Sequence, residues 1–174
     1  MQRGRIPVLR TLVLLLGAGP AWSAAAPQDP VVESPARAAL QQAEEALDAG
    51  DLVLAEQRFR AAVDSGVVEG WRGLAEVRQR EGDLEGAADA LWELYGARPE
   101  DVAAKRELAA LLARLPEHEW EAFPLHAELV EQFPQDPGLR LQLARLQSIL
   151  GWHDEARSNY ARVAAAGGGG ALAR

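Results

Sequence analysis

Residues 71–99 read WRGLAEVRQREGDLEGAADALWELYGARP. The stretch contains, in order, Trp71-x-x-Leu74-Ala75, Gly82-Asp83, Ala87-x-x-x-Leu91 and Pro99. Apolar residues three and four positions apart share one face of a helix, so both halves predict an amphipathic helix. The glycine between the halves favours the end of the first helix, and the aspartate after it favours the start of the second. This stretch therefore predicts a helix-turn-helix pair.

The same features recur on both sides of this pair, at intervals of about 34 residues. Upstream they are Ala43, Gly50-Asp51, Ala55-x-x-x-Phe59 and Ala62. Downstream they are Leu143-Ala144, Gly151 and Ala156-x-x-x-Tyr160. One pair alone cannot bury its apolar face, so recurrence predicts an array in which neighbouring pairs cover one another.

The recurring pattern resembles the tetratricopeptide repeat. The resemblance covers residues 36–166 and implies an all-α solenoid of about four helix-turn-helix units that form a right-handed superhelix. We assign the units to residues 36–67, 68–99, 100–134 and 135–166. In this family the first helices of the units line a concave groove, and the second helices form the convex back. The plain alternative is an antiparallel helical bundle whose periodicity is accidental.

Small residues recur at fixed positions of the units because they allow two helix backbones to approach closely. On the first helices these residues are Ala43, Ala75, Ala109 and Ala144, and on the second helices they are Ala55, Ala87, Ala122 and Ala156.

The third unit departs from the pattern. Its turn is Leu115-Pro116-Glu117, which lacks glycine, and His126 occupies the next large inner position. Pro124 lies inside the expected second helix, where proline is costly. We expect this helix to start late or to kink near Pro124.

The N-terminal residues resemble a secretory signal peptide, which we assign to residues 1–26. Arg3, Arg5 and Arg10 precede a short apolar run, and small residues follow at cleavage spacing. The apolar run is shorter than the roughly 20 residues of a membrane-spanning helix. Cleavage predicts a periplasmic or secreted protein without stable membrane insertion, and the alternative is an N-terminal membrane anchor. Residues 27–35 predict a flexible leader, and the Gly-rich residues 167–174 predict a disordered tail.

The composition of the chain argues against two classes of partner. The chain has 174 residues and a formal net charge of −8. An acidic chain is repelled by nucleic acid and by anionic membrane surfaces, so neither is an expected partner. There is no Cys, so stability depends on packing alone. A single Lys beside many Arg, Ala and Gly indicates a GC-rich bacterial genome.

The partner-binding groove is predicted from the first-helix residues that point away from the second helices. The candidates are Arg37, Glu44, Glu69, Arg72, Glu76, Arg80, Arg106, Arg114 and Arg145. Guanidinium groups hold carboxylates in a bidentate fork. Arg106, Arg114 and Arg145 therefore suggest that the C-terminal half of the groove captures an acidic or C-terminal peptide. The alternative is that these arginines pair with acids on the next repeat.

Sequence motifs for catalysis are absent, and we predict neither cofactor nor metal. His118-Glu119 begins like a zinc-protease helix, but Ala122 stands where the second His is needed. The function predicted is a non-enzymatic scaffold or adaptor of the cell envelope that binds a protein or peptide. One alternative is a self-associating module, because the array ends without a polar capping helix. The other is a small all-α enzyme or metal-binding protein with a site near His118 and His126, in the irregular third unit.

Overall fold

The computed structural model describes residues 35–168, and within them all regular structure is α-helical. The eight helices are α1 Pro35–Asp48, α2 Leu52–Asp64, α3 Gly70–Glu81, α4 Leu84–Ala97, α5 Val102–Leu112, α6 Glu119–Gln132, α7 Pro137–Ile149 and α8 His153–Gly168. Each helix packs mainly on the helices before and after it in the chain. Sequential packing of helix pairs is the arrangement of an α-solenoid, so the predicted fold class is confirmed.

The predicted small residues lie where expected. All eight alanines of the two series are at most 2 % exposed. Leucines at inner positions, among them Leu74, Leu91, Leu108 and Leu129, are also fully buried beside them. One continuous hydrophobic cluster links the units from Ala43 to Leu146.

Three of the four turns inside the units use the predicted glycine. Gly50, Gly82 and Gly151 have φ of 79°, 86° and 83°, in the left-handed region that favours glycine. The side chain of Asp51 accepts a hydrogen bond from the backbone N–H of Leu54, and Asp83 does the same for Gly86. These local signals set where α1 and α3 end and where α2 and α4 begin.

The third unit makes the corresponding turn without glycine. Residues 113–118 separate α5 from α6, a longer connection than in the other units. Glu117 has φ of 70° and lies just before the N-cap residue His118, the position that glycine occupies elsewhere. A side chain with a Cβ is strained in this conformation.

The expected late start of α6 is wrong, and the alternative, a kink near Pro124, stays a prediction. The helix begins at Glu119 and includes Pro124 in its interior. Proline removes one N–H from the helix ladder. On the inner face Ala122, Leu125 and Leu129 are buried between α5 and α7, and this packing holds the helix together through the proline.

The ends of the array differ slightly from the assigned boundaries. Helix α1 begins at Pro35, the last residue assigned to the leader, and α8 extends through Gly168, two residues into the assigned tail. The signal peptide, the rest of the leader and residues 169–174 lie outside the described residues. Among residues 35–168 there is no helix of the length and apolarity needed to cross a membrane.

Candidate partner-binding groove

The nine predicted groove residues all lie on α1, α3, α5 or α7, or at the ends of these helices, and all are half-buried or exposed. Arg37, Glu44 and Arg145 are exposed side chains on their helices. The remaining members fall into two groups: residues that are engaged in ion pairs inside the array, and Arg114, which joins Arg145 in a cleft.

Arg72 connects the second unit to the third. Its Nη2 lies 2.9 Å from Oδ2 of Asp101, and its Nε lies 3.1 Å from Oε2 of Glu107. Burial lowers the pKa of Arg72, but the hydrogen bond to Asp101 and the charge of Glu107 outweigh it and raise the pKa overall. The backbone N–H of Ala104, and then Arg72, lower the pKa of Asp101. Arg72 therefore forms ion pairs with the third unit.

Two acidic candidates of the first half, Glu69 and Glu76, are also paired. Glu69 lies 2.7 Å from Arg98, and its own backbone N–H followed by Arg98 lower the pKa of Glu69. Glu76 lies 2.7 Å from Arg80. Arg80 also donates from Nη1 to the backbone carbonyl of Leu47 in the first unit, at 2.6 Å. The contact between Arg80 and Leu47 joins the second unit to the first, whereas the two ion pairs lie within the second unit.

Arg106 makes the corresponding connection from the third unit to the fourth. Its Nη1 lies 3.1 Å from Oδ2 of Asp136, the N-cap residue of α7, and its guanidinium lies over the Phe133 ring at 4.4 Å. Backbone N–H donation from Leu139, followed by Arg106, lowers the pKa of Asp136. For Arg72 and Arg106, pairing with acids of the next repeat is what the structure shows.

Arg114 and Arg145 differ from the other arginines of the predicted set. Both are exposed, and neither forms an ion pair with any residue in the described range 35–168. They line one open cleft of about 360 Å³ between the end of α5 and the end of α7. The other lining residues are Ala110, Ala113, Gln142, Leu146 and Ile149.

The cleft combines two cationic forks with an apolar floor. Ile149 is 63 % exposed, which is unusual for so large an aliphatic side chain. A carboxylate that entered the cleft would meet guanidinium donors with which no acid of residues 35–168 competes, and an aliphatic group beside it would cover Ile149. Sequence reasoning identified both arginines, but it gave no indication that Arg106 pairs with Asp136 and does not line this cleft.

The histidines of the third unit do not form a common site. His118 bridges Glu85 and Glu121, at 3.0 and 2.9 Å. His126 is 2 % exposed, and its Nε2 bonds the carbonyl of Ala109 at 3.1 Å. In the described part of the chain, no group of three His, Asp or Glu residues is arranged to hold a metal ion.

Two aromatic residues of this unit contact a residue that sequence reasoning missed. Trp152 contacts Trp120 and Phe123, with ring centroids 5.6 and 4.7 Å away and near-perpendicular planes. Trp152 stands between α7 and α8, so the cluster joins the third unit to the fourth. Nothing in the spacing of the sequence indicates this contact.

Solved structures place the fold among known proteins. MamA AMB-1 superimposes with a TM-score of 0.61 at 18 % identity, over 74 % of this chain and 70 % of that one. Another MamA crystal structure gives a TM-score of 0.62 at 15 % identity, over 79 % and 81 % of the two chains. The nearly identical TPR-like repeats of a Podosopora anserina kinesin light chain give 0.59 at 19 % identity, over 78 % and 77 %. This chain has the tetratricopeptide repeat fold.

No protein family model matches the sequence, and no curated protein matches it. The Arg114 and Arg145 cleft lies at the ends of α5 and α7, which are the first helices of the third and fourth units.

Proposed function

We propose that this chain is a non-enzymatic protein-interaction scaffold. In this proposal an acidic segment of a partner protein lies in the groove and places a carboxylate between Arg114 and Arg145. One observation carries the proposal: two arginines without acid partners in the described residues share an open, partly apolar cleft. In the first half of the predicted groove, Arg72 and Arg80 are already paired with acids of the array.

The charge of the whole chain supports a local rather than a general attraction. With a net charge of −8, the protein repels an acidic segment at long range. Only a site that concentrates unpaired cations overcomes this repulsion. We place this function in the periplasm or outside the cell, on the strength of the signal-peptide pattern of residues 1–26.

Fluorescence anisotropy with a defined probe tests the proposal. The probe is a fluorescein-labelled peptide of alternating Glu and Ser around one central Leu, and the matched neutral peptide carries Gln at each Glu position. The binding variant is Arg114→Glu with Arg145→Glu. The control is Arg140→Glu with Arg162→Glu, which changes the net charge equally at the C-terminal end of the array.

We expect the chain to bind the acidic peptide and not the neutral one. The binding variant weakens the interaction about tenfold or more, because two charge-assisted pairs become repulsive contacts. The control variant changes it about twofold at most, since its charges are distant and screened. Equal weakening by both variants would show general electrostatic attraction and refute the site.

A further inference from the structure

Trp120 is the most exposed large hydrophobic side chain of the third unit. It lies in the first turn of α6, two residues before the buried Ala122, and is 64 % exposed. Phe123 and Trp152 contact each other at 4.7 Å between ring centroids, so they join the third unit to the fourth without Trp120. Tryptophan is enriched at binding interfaces because its large ring supplies much contact area. Trp120 is therefore a candidate contact for a partner.

The Trp120 ring is held in place although most of it is open to solvent. Its centroid lies 5.6 Å from that of Trp152, and the two planes meet at 77°. Trp152 is itself half-buried and packs on Phe123. A tryptophan side chain has only two rotatable bonds, so a ring supported in this way loses little further freedom when it binds a partner.

The chain segments that carry these two rings are acidic. Within three residues of Trp120 or Trp152 there is neither Arg nor Lys, and the carboxylates there are Glu117, Glu119, Glu121, Asp154 and Glu155. His118 pairs with Glu121, and Arg157 lies 3.6 Å from Asp154. Glu119 and Glu155 form no ion pair within residues 35–168. Negative charge beside the rings is therefore only partly balanced.

Arg106 shows how this chain holds a cation against an exposed aromatic ring. Its guanidinium lies over the Phe133 ring, 4.4 Å from the centroid, and its Nη1 lies 3.1 Å from Oδ2 of Asp136. Phe133 is 37 % exposed, so the arrangement stands at the protein surface. The electron-rich face of the ring and the carboxylate attract the same cation.

Lys105 repeats this arrangement. Its Nζ lies 5.6 Å from the centroid of the Tyr95 ring and 2.7 Å from Oε2 of Glu128. Trp120 also has carboxylates beside it, but among residues 35–168 no Arg or Lys lies over its ring. Indole binds cations more strongly than the rings of Phe and Tyr do. The cation that completes this third arrangement is therefore one that another molecule supplies.

Arginine suits this surface better than lysine does. Its planar guanidinium stacks on an aromatic face and at the same time donates to a carboxylate, whereas the lysine ammonium is a compact and strongly hydrated charge. The net charge of −8 attracts a basic segment at long range. The occupant that fits ring, carboxylates and net charge together is an arginine in a basic segment.

We propose that Trp120 and the carboxylates beside it form a second docking site, which receives an arginine from a basic segment of a partner protein. The guanidinium stacks on the Trp120 ring, and Glu119 and Glu155 balance its charge. The site uses α6 and the start of α8, and it is separate from the Arg114 and Arg145 cleft.

A short peptide of alternating Arg and Ser with both ends capped serves as the probe. The matched peptide has citrulline at each Arg position, which keeps the planar end group but removes the charge, and a third peptide has Lys. Two-dimensional NMR of the full-length chain follows the indole N–H signals, and Trp120→Phe assigns the signal of Trp120. Titration gives the affinity of each peptide.

We expect the arginine peptide to shift the indole signal of Trp120 and to leave those of Trp71 and Trp92 in place. The lysine peptide binds more weakly, and the citrulline peptide does not bind. Trp120→Leu weakens binding about twofold to fivefold, because the aromatic face is lost and an apolar side chain is kept. Trp120→Phe recovers part of this loss. Glu119→Gln with Glu155→Gln weakens binding by a similar factor, about twofold to fivefold, as for exposed ion pairs.

Two controls separate the site from general attraction. Trp92→Leu removes another exposed tryptophan, and Glu44→Gln with Asp48→Asn removes the same charge from α1. Both keep the parent affinity, and the Arg114→Glu, Arg145→Glu protein still binds, so the result is independent of the cleft.

Several outcomes would overturn the proposal. They are no binding of the arginine peptide, equal binding of the citrulline peptide, shifts confined to other parts of the chain, and equal weakening by the site variants and the controls. Sedimentation that shows a dimer, dispersed by Trp120→Leu, would assign Trp120 to a contact between two copies and would also overturn it.

Discussion

At the scale of single residues, Glu117 shows where this sequence departs from its own repeat. Glycine occupies the corresponding turn position in the other units, and Glu117 is the only non-glycine residue with positive φ in the described chain. Such a conformation costs on the order of 1–3 kcal/mol when a Cβ is present. Glu117→Gly therefore raises the free energy of unfolding, by about 1 kcal/mol after the added flexibility of the unfolded chain is subtracted. Urea denaturation measures the change.

The control for this prediction is Gly82→Ala, at the matching turn of the second unit. Gly82 has φ of 86° and open space where a Cβ would stand. The change in the free energy of unfolding on Gly82→Ala therefore reflects backbone strain alone. We expect Gly82→Ala to lower the free energy of unfolding by about 1 kcal/mol. If Glu117→Gly is neutral while Gly82→Ala destabilises, the strain at Glu117 is relieved by other contacts.

Gly73 is required for a different reason, which is close packing. It is buried in α3, where alanine normally favours a helix by up to about 1 kcal/mol. Because the Phe59 ring fills the space of its missing Cβ, Gly73→Ala instead destabilises the protein, by about 1–3 kcal/mol. The double variant Phe59→Leu, Gly73→Ala recovers part of this loss in thermal unfolding. A more stable single variant would contradict the packing.

At the scale of elements, the His118 side chain links the start of α6 to α4 through Glu121 and Glu85. The hydrogen bond to Glu121, and then the charge of Glu85 on α4, raise the pKa of His118. Protonated His118 is therefore favoured by folding, and its contribution is complete below the ordinary pKa of about 6.5 and lost as pH rises through the folded value. His118→Gln lowers stability near pH 5.5 and has little effect near pH 9. Thermal unfolding across this range would contradict the assignment if the loss were independent of pH.

His126, which also lies on α6, has a pKa shifted in the opposite direction to that of His118. Burial lowers the pKa of His126, and its Nδ1 is buried with no hydrogen-bond partner in the described residues. The neutral ring is favoured by folding, so stability is lost as pH falls below about 6.5 toward the folded pKa. His126→Leu restores the aliphatic side chain found at Leu91 and raises stability by about 1 kcal/mol at neutral pH, since an unsatisfied polar atom is removed.

Calorimetry at two pH values checks this prediction. The gain from His126→Leu increases from pH 7 to pH 5, because protonation of the native His126 no longer opposes folding. A gain that shrinks at pH 5 would show that the buried imidazole is protonated in the folded chain.

The elements that sequence reasoning predicted are those with local causes. Gly50, Gly82 and Gly151 mark turns because left-handed φ is a property of one residue, and Asp51 and Asp83 cap helices within a few positions. The late start predicted from Pro124 was wrong for the opposite reason. Its local cost is real, but burial of Ala122, Leu125 and Leu129 between α5 and α7 outweighs it, and that burial depends on residues distant in sequence.

At the scale of the whole molecule, the candidate site depends on which arginines find partners. Register alone placed Arg106, Arg114 and Arg145 on one groove. Whether an acid lies within reach is set by the packing of successive units, which brings Asp101 to Arg72 and Asp136 to Arg106. The sequence predicted that these arginines lie on or next to the first helices, but it could not separate Arg72 and Arg106, which pair with acids of the next unit, from Arg114 and Arg145.

Quantitative affinity capture with residues 27–174, from envelope extract of the source cells, tests the central claim that Arg114 and Arg145 bind a partner. The parent chain is compared with Arg114→Glu, Arg145→Glu and with the charge-matched Arg140→Glu, Arg162→Glu, after thermal unfolding shows that all three are folded. Our account predicts a protein that is retained by the parent and by the Arg140→Glu, Arg162→Glu chain and is lost from the Arg114→Glu, Arg145→Glu chain. Retention of the same proteins by all three chains would contradict it.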